Sequence, residues 1–219
     1  MPESDKFTQG IYSRNTLEFV TVAAETCLFL ENTASLSKKE FLERALKILP
    51  LLYLKTSLTN CPEQLLEEAP ERFITETDYE LVKSSISDLL GSTDRYLEVF
   101  HPDIQLSEEG IATDISENLA DIYQDLKDFL LCYQIGNEAV MNDALTLCLQ
   151  SFYTYWGQRL VNALRPLHNS LYNEAIEEVE TNDLTEETNN SSLKHQFLSH
   201  QQNEGLDAFL NTLNDTDAN

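Results

Sequence analysis

Apolar residues recur along most of this chain at steps of three and four, and over no long run at steps of two. Steps of three and four return a side chain to the same face of an α-helix, whereas a strand alternates. The pattern predicts an all-α fold, a multi-helix bundle of about five to seven core helices over residues 14–172, without paired strands. Asn15-Thr-Leu-Glu18 reads as a capping box, an Asn N-cap with Glu three residues on, opening a helix to about residue 32. In it Leu17, Val20, Ala24, Cys27 and Leu28 share one face, and Phe19, Ala23 and Leu30 a second beside it. So wide an apolar surface predicts packing on two sides. Ser37-Lys-Lys-Glu40 opens a second helix with Phe41, Ala45, Ile48, Leu49 and Leu52 inward. Pro50 falls inside that pattern, removes one backbone hydrogen bond and crowds the carbonyl of Leu46, so a kink or restart is expected.

Residues 60–74 contain Pro62 and Pro70 and read as a loop with one short helical turn. Thr77-Asp-Tyr-Glu80 marks a third helix start, and Gly91 its end. Residues 94–100 read as a short helix or a loop without a partner, broken at His101-Pro102. A long helix from about 107 or 114 carries Ile115, Leu119, Ile122, Leu126, Phe129 and Tyr133 as a heptad-like seam and stops at Gly136. The last core helix, 137–172, turns Leu145, Leu149, Phe152, Trp156, Leu160, Ala163 and Leu167 inward, with a kink expected at Pro166.

Outside the bundle the pattern fades. Residues 1–13 form a polar arm. Residues 173–192 hold seven acids and no Lys or Arg, the composition of a disordered acidic linker. The tail, 193–219, carries Leu206, Phe209, Leu210 and Leu213 on one helical face, a short amphipathic helix. That stripe is too short to hold a helix alone in water, which makes these four residues candidates for docking on a partner.

Composition narrows the function. Hydrophobic residues make up 42%, enough for a packed core, and 6 Gly with 6 Pro are too few turn residues for a large β-sandwich. Acidic residues number 38 and basic ones 14, a formal net charge of −24. That balance disfavours nucleic acid and anionic membranes; it reads first as solubility through self-repulsion, and otherwise as the mark of an unknown protein partner of basic character or of DNA mimicry. No export signal and no apolar run of membrane-spanning length are visible, so a cytoplasmic location is expected. The cysteines, Cys27, Cys61, Cys132 and Cys148, have no metal-type spacing, and no cofactor is expected.

Four stretches taken together carry a resemblance: Thr16-Leu-Glu-Phe-Val-Thr-Val-Ala-Ala-Glu25, Ala45-Leu-Lys-Ile-Leu-Pro-Leu-Leu-Tyr-Leu54, Leu119-Ala-Asp-Ile-Tyr-Gln-Asp-Leu-Lys127 and Trp156-Gly-Gln-Arg-Leu-Val-Asn-Ala-Leu-Arg-Pro-Leu-His168. Over residues 12–172 the chain resembles an all-helical family of Bacteroidetes, a domain of unknown function of the DUF5063 kind. The resemblance implies the helical fold and a bacterial cytoplasm; it brings no activity with it.

Two constellations remain as candidate chemistry. Asp114, Glu117, Asp121, Asp125 and Asp128 form an acidic stripe on one flank of the seam. It reads as a solvated or ion-paired flank, or else as a surface for a basic partner or a cation site, the last of which would need further oxygen ligands from other elements. Trp156, Arg159, Arg165 and His168 lie on the last helix, with Arg159 half-buried beside the apolar face, Arg165 on the far side and His168 between. A half-buried guanidinium needs an acid, and Asp125, the stripe member nearest the seam, is the expected partner. The sharper reading of Asp121, Asp125, Trp156, Arg159 and His168 is a ligand or metal pocket between the last two core helices, floored by Trp156. No P-loop, dinucleotide fingerprint, nucleophile elbow or zinc-helix motif occurs. The expected function is therefore a non-enzymatic interaction or adaptor module. The alternatives are the ligand- or metal-binding bundle and an enzyme without a recognisable motif.

Overall fold

The computed structural model describes residues 10–98 and 112–186, with side chains as far as residue 173. Helix α1 spans Arg14–Glu31, α2 Lys38–Ser57 and α3 Glu76–Leu90. A short antiparallel pair, β1 (Arg95–Leu97) and β2 (Ala112–Asp114), leads into α4, Ile115–Gln134. One long rod follows: α5 (Glu138–Ser151), a π-helical turn (Phe152–Trp156) and α6 (Gly157–Glu186). The chain divides into two compact units, Met1–Tyr172 and Asn173–Asn219. The bundle belongs to the first. The helical backbone of α6 continues to Glu186, into the stretch whose composition predicts a linker.

Helix α4 is the centre, packed against α1, α3 and α5, while α2 lies on α1. Its seam is buried as its period predicts: Ile115, Leu119, Ile122, Leu126 and Phe129 are at most 2% exposed. All seven inward residues expected from Leu145 to Leu167 along the rod are buried too. Phe19 of α1 stacks on Phe129 of α4 at 5.3 Å, and Ile11, just before α1, is wholly buried.

The structure departs from the sequence expectations at several points. The N-cap of α1 is Ser13, whose Oγ accepts the Thr16 amide at 3.2 Å; Asn15 instead donates to the Leu58 carbonyl at 2.8 Å. The deep face of α1 is Phe19, Ala23, Cys27 and Leu30, while Leu17 and Leu28 are 45% and 50% exposed. On α2 the Ser37–Glu40 capping box closes in both directions. The helix runs unbroken through Pro50, whose exposed ring lies on the outer side. Residues 60–74 contain no helical turn. Helix α3 is capped by Thr75 with Asp78, two residues before the expected box, and Gly91 ends it at φ 58°.

The β1–β2 pair corrects the expectation of no paired strands. Three-residue strands are too short to show a period, and their register depends on a partner beyond the His101-Pro102 break. The carbonyl of Asp94 accepts the Ile115 amide at 2.8 Å, and its carboxylate takes the Ser116 amide and hydroxyl at 2.8 and 2.7 Å. The pair thus fastens the start of α4, and the molecule remains all-α.

Candidate functional site

The polar flank of α4 is built from side chains that the helical period puts beside the seam, and Asp121, Asp125 and Asp128 meet donors from other elements. Asp121, buried, accepts the hydroxyls of Tyr79 on α3 at 2.9 Å and Tyr155 on the π-turn at 2.8 Å. The Nε of Arg159 lies 3.6 Å from the same carboxylate. The Arg159 guanidinium also sits 5.2 Å from the Tyr155 ring centre and donates to Asn118 Oδ1 at 3.3 Å. Asn118 donates onward to the Tyr96 hydroxyl at 2.6 Å, and Asn162 donates to Glu98 at 2.5 Å.

Arg159 therefore answers to Asp121, which corrects the expected pairing with Asp125. The two acids lie one helical turn apart, and helix crossing, invisible in sequence, decides between them. Asp125 accepts a short hydrogen bond from Ser151. Burial pushes its carboxyl above the ordinary Asp range, against the opposing pull of Ser151 and Arg72. Asp128 accepts the amides of Phe73 and Ile74 at 2.7 and 2.9 Å. Three of the five acids of the stripe, Asp121, Asp125 and Asp128, are thus structural clamps.

Trp156 does not floor a pocket: it is wholly buried, donates its indole N–H to the Cys148 carbonyl at 3.1 Å and packs on Phe152. His168 is exposed and pairs with Tyr172, outside the Asp121 cluster. Leu206, Phe209, Leu210 and Leu213 lie outside the described residues. Between α4 and α5 the cleft beside Asp125, Asp128 and Arg72 offers about 40 Å³, room for little more than a water.

Sequence reasoning missed a second clamp. Asp143, only 1% exposed on α5, accepts the amides of Leu65 and Leu66 at 2.8 and 2.7 Å, and Asn142 beside it donates to the Glu63 carbonyl at 2.7 Å. The available signal was an Asn-Asp pair in an otherwise apolar stretch, where polar groups need fixed partners. Among the described residues no buried side-chain nitrogen or oxygen lacks a partner.

The titrating groups of this region are held neutral or paired. Burial, and then the Asp121 charge, raises Tyr79; burial raises Tyr155 and Tyr96 to about 12 each. For Arg159 burial works downward, yet Tyr155, Asp121 and Glu98 outweigh it, and the guanidinium stays charged. Burial also raises all four cysteines, Cys27 to about 12, so none has the depressed pKa of a reactive thiolate. Among the described residues no cluster of three His, Cys, Asp or Glu is gathered for a metal ion, and no helix is long and apolar enough to cross a membrane.

Known proteins fit this picture. A solved structure, protein BF1032 from Bacteroides fragilis, a structural-genomics target, is 43% identical, with a TM-score of 0.67, over 75% of this chain and 96% of that one. No curated protein matches. The family model for a domain of unknown function (DUF5063) matches residues 10–173, the helical bundle with its capped first helix and the α4 cluster. The chain belongs to the DUF5063 family.

Proposed function

We propose that this protein is a non-enzymatic interaction module of the bacterial cytoplasm that docks a partner on the outward face of α2. The observation that carries the reading is a stripe: Leu51, Leu54 and Leu58, at steps of three and four, stand 42%, 50% and 49% exposed. Single exposed leucines are ordinary, but a helical row of them is the form of a docking face. The polar cluster around Asp121 supports the same reading, because its hydrogen-bonding capacity is taken up by Tyr79, Tyr155 and Arg159. The competing reading, a ligand pocket between the last two core helices, has a cleft of about 40 Å³ between α4 and α5. A larger hollow of about 470 Å³ lies open on the outer side of α6 against β1, lined by Tyr96, Leu97, Asn162 and Arg165 among others, and does not reach Asp121 or Asp125.

The test is affinity capture with the tagged full chain and a Leu51→Glu/Leu54→Glu variant. Both positions are exposed, so the variant should melt with the parent. A protein recovered with the parent and lost with the variant supports the reading. Identical recoveries from both would sink it.

A further inference from the structure

We propose, resting on the interaction reading above, that the trough between α1 and α2 receives the acid-flanked apolar stripe of residues 204–217 from a second copy of this chain. The trough is an open groove of about 600 Å³ with Leu28, Ile48 and Leu51 among its apolar lining, and Arg44, Lys47 and one acid, Glu25, among its polar lining. Leu28 and Leu51 are half in water, so an apolar occupant gains surface burial there.

Charge selects the occupant. The whole chain carries −24, yet α2 holds Lys38, Lys39, Arg44, Lys47 and Lys55 against only Glu40 and Glu43, five of the 14 basic residues on one helix. Lys55 is tied to Glu18 at 2.6 Å. Arg44 and Lys47 form no salt bridge within 4 Å among the described residues. Arg44 does lie near enough to Glu40 to help the Ser37 amide and hydroxyl hold that exposed carboxylate below its ordinary range, yet both cations lining the trough can meet an incoming acid. Residues 201–219 supply the complement: Glu204, Asp207, Asp215 and Asp217 with no Lys or Arg, around Leu206, Phe209, Leu210 and Leu213 on one helical face. Opposite charge at the rim sets register and suppresses wrong pairings, while the apolar anchors hold the helix in the groove. A chain that carries both halves of a complementary pair can exchange them around a two-fold axis, filling two troughs at once.

Sedimentation of the full chain over about 1–100 μM tests this at a range where weak self-association is visible. A concentration-dependent dimer is expected. Arg44→Glu/Lys47→Glu should weaken it by at least about tenfold, and so should Asp207→Lys/Asp215→Lys. Combining all four substitutions in one chain should restore it. A monomer throughout the range, or a dimer indifferent to both charge reversals, overturns the proposal. So does a monomer whose trough is already protected from hydrogen exchange, which would mean that the chain's own tail fills it. If the α2 leucine variant still loses a captured partner while the chain stays monomeric, the interaction reading survives and this inference alone falls.

Discussion

Asp121 gathers three donors from three segments, and that convergence gives it weight out of proportion to one side chain. Removing it takes the acceptor from two tyrosine hydroxyls and a half-buried guanidinium, a loss that water and, for Arg159, Asn118 make good only in part. Asp121→Ala should destabilise by about 2–4 kcal/mol in urea unfolding. A double-mutant cycle of Asp121 with Arg159 should return a coupling near 1 kcal/mol, because the Arg159 side chain keeps 28% of its exposure. The cycle of Asp125 with Arg159 should return nearly nothing. That Arg159 needs an acid on α4 is legible in sequence; which acid is not, since the choice turns on how two helices cross. Asp125 makes the complementary prediction. Its raised pKa means that the folded state holds the proton more tightly than the unfolded chain. The stability it contributes is full below the ordinary Asp value of 3.8 and is lost as pH rises through the raised one. Asp125→Asn removes that loss. The variant should melt above the parent near pH 7, with the gain shrinking as pH falls towards 3.8; a gain that grows on acidification would contradict the assignment.

Elements divide by length into those the sequence announces and those it does not. Each long helix of the bundle shows its period, and each cap uses a residue type that caps, although Ser13 and Thr75 won over Asn15 and Thr77 through neighbours distant in sequence. The π-turn, a single residue wider than an α-helical turn, leaves no period to read. It is nonetheless strict about Gly157: a Cβ there would lie 2.4 Å from the Phe152 carbonyl and 2.8 Å from its ring. Gly157→Ala should therefore cost about 2 kcal/mol or more, although alanine is the better helix former. A neutral result in thermal melts would mean that the rod does not widen at this point. The loop of residues 60–74 was legible as a loop, but its fixing was not, because main-chain amides, which have no sequence signature, donate to the carboxylates of Asp143 and Asp128, and the acids alone do not say which amides they take. Each half should loosen on its own. Asp143→Ala should speed amide exchange at Leu65 and Leu66, and Asp128→Ala at Phe73 and Ile74, each with little effect on the other pair. Uniform loosening by either variant would show one cooperative loop instead of two clamps.

Across the whole molecule the helical class follows from periodicity, and the structure bears it out. Charge is the remaining property that acts at this scale. With 38 acids against 14 bases, repulsion between like charges opposes the compact state more strongly than the unfolded one, where the charges are farther apart. Surface pairs such as Arg14 and Lys55 with Glu18 and Lys127 with Glu31 each contribute too little to reverse that balance. Salt shortens the reach of the repulsion to about 10 Å at 0.1 M, which spares close contacts such as Asp121 with Tyr79. Raising NaCl from about 10 to 150 mM should therefore stabilise the protein by about 1 kcal/mol, a Tm gain of roughly 2–4 °C for a chain of this size. The Arg44→Glu/Lys47→Glu variant, more negative still and stripped of the basic trough, should gain more over the same range. A Tm that falls with salt in the parent would show that attractive pairs dominate its surface, and the variant's gain relative to the parent would then have to come from the lost trough alone.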